Sequence, residues 1–272
     1  MDLATIVGII AGVVTIAVVM ILDGGSPAEL FSVPQAILLI VAGSLSATFI
    51  TTSTKRFVLL PKLLGVAMKE VHYNEEEAIE TLARMADKAR REGLLALEEE
   101  SKKIDDPFLQ KGIMLVVDGV DPAQVKSILE TQIHHMEERH AINYGLFNSA
   151  GGFAPTFGII GTVMGLIGVL KELDNPAKLA KSIAAAFLAT LWGLIMSNLI
   201  FLPIGGKLRF KDAEEAAYKR LLLEGILSLQ AGENPRIVRE KLQAFLPPAA
   251  AKAGAKGNAK GEVKAEKGKV PA

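Results

Sequence analysis

Two hydroxyls stand out for the chemistry they could do: Thr162 and Thr190, each inside a long apolar run free of Asp, Glu, Lys, Arg and His. Alone, a threonine oxygen is a weak ligand. Beside a carboxylate it can help strip water from a cation such as Na⁺, which prefers oxygen donors. The neighbours of both hydroxyls are small: Pro155, Gly158, Thr162 and Gly165 share one helix face, with Gly161 close by, and Ala186, Thr190, Gly193 and Ser197 repeat the device. Small residues let helix backbones approach closely. Such stripes either pack the two runs against each other or a sister copy, or surround a partner helix that carries the missing carboxylate.

Other chemistries lack their residues. Glu137 and His140 have the i, i+3 spacing of a di-iron helix, but no second Glu-x-x-His exists, so His134 to His140 reads as a solvated helix face. The glycines at 158, 161, 165 and 168 form neither Gly-x-Gly-x-x-Gly nor a P-loop, which removes a phosphate cradle. No Gly-x-Ser-x-Gly, His-Glu-x-x-His or intramembrane Asp pair offers hydrolysis. The absence of cysteine excludes disulfides and thiolate metal sites. No enzyme activity, metal, cofactor or nucleic-acid partner is expected. Lys88 to Glu100, KARREGLLALEEE, parts a basic block from an acidic one across Gly93, either as a solvated face or as a docking surface where opposed charges orient a partner.

The elements that must position these groups follow from hydropathy. Half of the 272 residues are hydrophobic, and mean hydropathy is +0.33. Four charge-free runs account for it: Leu3 to Leu22, Leu30 to Thr54, Ala141 to Leu170 and Ser182 to Gly206. Each reaches the roughly 20 residues a helix needs to cross a bilayer. The expected fold is therefore an all-α membrane protein with four spans. Lys55, Arg56 and Lys62 follow the second run, and Lys207, Arg209 and Lys211 follow the fourth, whereas Asp23 to Glu29 has no basic residue. This asymmetry places both termini in the cytoplasm, although Lys171 to Lys181 adds lysines on the other side. With only Asp2 ahead of it and no cleavage site, the first run reads as a retained span.

The chain then divides into spans one and two (1–54), a helical cytoplasmic domain (55–140), spans three and four (141–206), a helical segment (207–248) and a disordered Ala/Gly/Lys tail (249–272). Asn74 before three glutamates, Asp121-Pro122 and Asn234-Pro235 are helix starts. No breaker follows Asp121-Pro122 until Gly145, so spans three and four should extend well into the cytoplasm.

Together, these features resemble the A subunit of the bacterial flagellar motor stator, the MotA/PomA type within the MotA/TolQ/ExbB superfamily. The resemblance runs from about Met1 to Pro248. It rests on ARREGLLALE (Ala89 to Glu98), VDG (Val117 to Gly119), FAPTFGIIGTVMGLI (Phe153 to Ile167), AAAFLATLWG (Ala184 to Gly193), FLPIGGKL (Phe201 to Leu208) and GENPRIVREKL (Gly232 to Leu242). It implies an inner-membrane homopentamer in contact with lipid, around a dimer of B subunits (MotB/PomB type) whose carboxylate carries the ion. Torque would pass to the rotor switch protein FliG.

By the same resemblance, the rotor-contact charges fall on Arg90 and Glu98, with Arg91 alongside. The functional prolines fall on Pro155 and Pro203, and the pore threonines on Thr162 and Thr190. Helix packing falls to Gly158, Gly161, Gly165 and Gly193. Keeping both threonines favours Na⁺ over H⁺ as the transported ion. Ala189 precedes Thr190 where many relatives have a second threonine, one hydroxyl fewer beside the pore. The alternative within the superfamily is a TolQ/ExbB-type energiser of an envelope or transport system, which usually has three spans.

Overall fold

The computed structural model describes residues 2–170 and 176–246, and every regular element among them is helical. The expected disordered tail over 249–272 lies outside the described residues, as does Lys171 of the lysine-bearing loop. The chain forms two compact units, one of residues 1–71 and 138–211, the other of residues 72–137 and 212–272.

In chain order the helices are α1 (Leu3–Leu22), α2 (Pro34–Ile50), α3 (Thr54–Phe57), α4 (Leu60–Met68), α5 (Glu75–Glu92), α6 (Leu97–Ser101), α7 (Pro107–Val117), α8 (Pro122–Val169), α9 (Pro176–Ile195), α10 (Leu202–Gln230) and α11 (Pro235–Gln243). A 3₁₀ turn over Pro27–Ser32 joins α1 to α2, and a π-turn over Met196–Phe201 joins α9 to α10 without a break.

Local chemistry sets most of the starts. Asn74 accepts from the Glu77 N–H at 3.2 Å, Asp121 from Ala123 at 2.9 Å and Asn234 from Arg236 at 2.9 Å, which satisfies N–H groups that a first turn leaves free. Asp106-Pro107 uses the same device to start α7, with Asp106 accepting from Phe108 and Leu109. Helix α7 is missing from the expectations above, although its signal stands in the sequence.

Among the described residues, three helices are long and apolar enough to cross a membrane: Leu3–Leu22, Pro122–Val169 and the continuous Pro176–Gln230. The second expected run, Leu30 to Thr54, is shorter as a helix than as a hydropathy segment. Helix α2, which lies wholly within it, covers only the 17 residues Pro34–Ile50, about 25 Å. Proline at the first helical position fixes the start at residue 34, and the preceding turn is capped by Ser26 and Glu29. Helices α8 and α9–α10, at 48 and 55 residues, both exceed bilayer thickness by more than twofold. Gly145 does not interrupt α8.

The first unit buries Ile40, Ala67, Ala150, Ala154 and Ile204 at its centre. Helix α1 buries none of its own residues and exposes Val7, Ile10, Val14, Val18 and Ile21, an apolar surface suited to lipid. The second unit has a conventional leucine-rich core, in which Leu82, Leu97, Ile113, Leu129, Leu222, Ile226 and Leu242 are fully buried.

Candidate functional site

The site is built where α8 and α9 cross in the first unit. Gly158 and Gly193 face one another so closely that a Cβ on Gly158 would lie 3.1 Å from the Ala189 carbonyl oxygen and 3.1 Å from the Gly193 Cα. A Cβ on Gly193 would lie 2.9 Å from the Ala154 carbonyl oxygen. Gly165 meets Ala186, whose Cβ would be 2.9 Å away, and Gly161 meets that of Ala189 at 3.0 Å. The two small-residue stripes therefore pack on each other within one chain. Of the two readings open in the sequence, mutual packing accounts for these glycines, and a face left free for a partner helix must be built from other residues.

That close approach brings the hydroxyls together. The Thr162 Oγ1 lies 3.0 Å from the Ala186 carbonyl and 3.1 Å from its own Gly158 carbonyl, and it hydrogen-bonds with the Thr190 hydroxyl. Four oxygens thus share two protons, and Thr162 can donate only one of its own. Such a node is a preformed polar spot between apolar helices. Further along α9, the Trp192 indole N–H donates to the Leu30 carbonyl at 2.7 Å, and its ring meets Phe31 edge-on at 5.8 Å. These contacts tie α9 to the turn that joins α1 to α2.

Both prolines sit at irregular points of their helices. Pro155 lies inside α8, where it has no N–H to give the Gly151 carbonyl four residues before it. The buried Ser197 hydroxyl donates to that carbonyl instead, at 2.7 Å. Pro203 follows the π-turn, in which the Leu202 N–H reaches back to the Ser197 carbonyl, five residues away. Sequence reasoning placed Ser197 on a packing stripe and missed this partnership. The signal available was the orphan carbonyl that any intrahelical proline creates.

At the opposite end of the unit, Lys207 pairs with Asp2 at 2.6 Å, and Lys211 donates to the Val66 and Ala67 carbonyls at the end of α4. With Lys207 donating to it and Thr5 adding a hydrogen bond, the Asp2 carboxyl is held down at about 2. These lysines are therefore bound within the fold rather than free for steering.

The charged stretch Lys88 to Glu100 belongs to the second unit. Arg90 and Arg91 end α5, and Glu98 opens α6 after Gly93 turns the chain at φ +85°, ψ 165°, a conformation reserved for glycine. Arg91 pairs with Asp87 at 2.9 Å and Glu98 with Lys102 at 3.2 Å. Arg90 is exposed and forms no ion pair among the described residues. Glu137, the weighed di-iron residue, is engaged by Arg220 at 2.6 Å.

A helical membrane protein whose two longest helices meet through glycine and a hydroxyl node defines a class that comparison with known proteins makes specific. Residues 100–244 match the MotA/TolQ/ExbB proton channel family. The chain is 40% identical over 214 residues to motility protein A of Borreliella burgdorferi, covering 79% of this chain and 82% of that protein. It is 38% identical to the chemotaxis protein PomA of Vibrio alginolyticus, covering 90% of this chain and 96% of that one. Its fold is similar to the flagellar MotAB stator complex of Bacillus subtilis, at TM-score 0.85 and 37% identity over 92% of this chain and 97% of that chain. The chain belongs to the MotA/TolQ/ExbB family, on its motility protein A branch, and is a membrane channel-family protein rather than an enzyme.

Proposed function

We propose that this chain is the A-type stator subunit of a flagellar motor, which forms with a B-type subunit a cation channel and converts ion flow into torque. The observation that carries the reading is the Thr162–Thr190 node, which holds two hydroxyls and two carbonyl oxygens together inside an apolar helix pair. A carboxylate brought alongside by the partner would complete an oxygen-rich site, and oxygen donors replace the hydration shell of Na⁺. Sodium is therefore the favoured ion over H⁺.

In this reading, α2 completes a set of four spans in the inner membrane, both termini are cytoplasmic, and five copies surround a B-subunit dimer with lipid outside. Pro155 and Pro203 bend the helices during the cycle. Arg90 and Glu98, with Arg91 beside them, meet the rotor switch protein FliG. Arg90 is the leading contact of the three, since Arg91 and Glu98 already pair with Asp87 and Lys102.

The test is motility of a stator-less strain carrying this chain with its own B partner. Rotation should depend on Na⁺ and fall when Thr162 or Thr190 becomes alanine. Full-speed rotation in Na⁺-free medium overturns the sodium assignment. Unchanged rotation after Arg90→Glu overturns the rotor contact.

A further inference from the structure

Ser197 is among the few buried hydroxyls of the described residues, at 3% exposure, and its partner is the carbonyl that Pro155 orphans. A buried carbonyl without a donor is costly, so the bond is not incidental. Its 2.7 Å length joins two different helices, from the π-turn before Pro203 to the turn of α8 that precedes Pro155. The acceptor residue touches the other end of the same π-turn as well. A Cβ on Gly151 would lie 2.7 Å from the Leu202 side chain and 3.3 Å from the Phe201 Cβ. Gly151 is thus seated against both the first and the last part of the turn, through its carbonyl and through its bare α-carbon.

A π-turn holds one residue more than the α-turn it replaces, so resolving it turns one half of the helix against the other by roughly 100°. The bond from Ser197 opposes that rotation for as long as Pro155 withholds its N–H. We infer that Ser197 is a positioning residue for torque generation: its hydroxyl locks the π-turn before Pro203 to the Gly151 carbonyl that Pro155 leaves open in α8, so that the two helices move as one. This rests on the stator reading above, and it assigns to Ser197 a task distinct from that of the hydroxyl node at Thr162 and Thr190.

Two measurements test it. In motors of a stator-less strain carrying the full chain with its B partner, Ser197→Ala should lose torque per engaged complex while the number of engaged complexes, counted by a fluorescent fusion, stays at the wild-type value. Ser197→Cys, which keeps the size and a weak donor, should recover part of the torque. A purely structural serine would reduce the number engaged and leave torque per complex intact; that result, or unaltered torque in Ser197→Ala, overturns the assignment.

The second measurement is a double-mutant cycle on the thermal midpoint of the purified complex. Pro155→Ala returns an N–H to the Gly151 carbonyl, so Ser197→Ala should lower the midpoint with Pro155 present and leave it unmoved in the Pro155→Ala background. Equal losses in both backgrounds overturn the bond's dependence on the proline. If the wild-type chain fails to support motility at all, the stator reading falls, while the cycle still decides the bond.

Discussion

Two pairs of glycines, one in each unit of this protein, are crowded for different reasons. In the membrane unit, a Cβ on Gly158 or Gly193 would strike backbone, at 2.9–3.1 Å from carbonyl oxygens and Cα atoms. In the second unit, a Cβ on Gly112 or Gly225 would strike the tips of side chains, Ile226 Cδ1 at 2.3 Å and Leu82 Cδ1 at 2.4 Å. A side-chain tip can rotate away; a packed helix backbone cannot. The Gly158–Gly193 contact depends on what its residues lack, and the core around Gly112 and Gly225 on what its residues fill. Lipid tails are as apolar as leucine, so burying a methyl group gains little between membrane helices and close contact must supply the attraction. The second unit has a leucine-rich core, and for a core formed in water each buried methylene contributes about 0.8 kcal/mol.

The sharpest way to break this contrast is to remove bulk from the second unit. Ile226→Ala, at a fully buried position, should cost about 2–5 kcal/mol, seen as a lower midpoint for unfolding of that unit by circular dichroism. Removing bulk from the exposed Val163 of α8 should leave the midpoint nearly unmoved.

Adding bulk should reverse the order. Gly158→Ala is expected to cost about 1–3 kcal/mol through forced backbone separation and to part the Thr162 and Thr190 hydroxyls. Gly225→Ala should cost less, because Leu82 can yield. If the two alanine variants shift the thermal midpoint of the complex equally, the distinction between backbone and side-chain crowding is wrong.

Gly93→Ala tests backbone conformation alone, since nothing lies within 4 Å of a Cβ there. The φ of +85° and ψ of 165° should make it cost about 1–3 kcal/mol. The re-aimed α5–α6 corner should also lower rotor torque without loss of assembly.

The smallest effect expected is at the Asp2–Lys207 pair. Asp2 is held at about 2 against an ordinary 3.8, a depressed carboxylate, so its stabilising contribution is complete above the ordinary value and is lost as pH falls through about 2. Asp2→Asn should therefore lower the thermal midpoint slightly at neutral pH, and the two proteins should converge in strong acid. A constant offset at every pH would exclude ionisation as the cause.

Much of the fold was legible because it is written locally. The caps at Asn74, Asp121 and Asn234 need only a side chain and the N–H groups two or three residues on, and apolar length marks a spanning helix without reference to its neighbours. The extent of α2 was less legible: hydropathy ran from Leu30 to Thr54, but proline placement and the 3₁₀ turn confined the helix to Pro34–Ile50. Helix α7 was missed between louder signals, although Asp106-Pro107 announced it. At the candidate site, the spacing of Gly158, Thr162 and Gly165 disclosed a face, but not what would cover it.

By itself the sequence determined that the chain is helical, that its longest apolar segments span a membrane, and which small and hydroxyl-bearing residues share a helix face. Those properties depend on period, caps and hydropathy, which are properties of neighbours along the chain. Only the tertiary structure decided that the two faces meet each other, that Thr162 and Thr190 join across them, and that Ser197 satisfies the carbonyl left open by Pro155. Each of these pairs residues 28 or 46 positions apart. No local period fixes such a pairing; it follows from which backbones can approach when glycine removes the side chain between them.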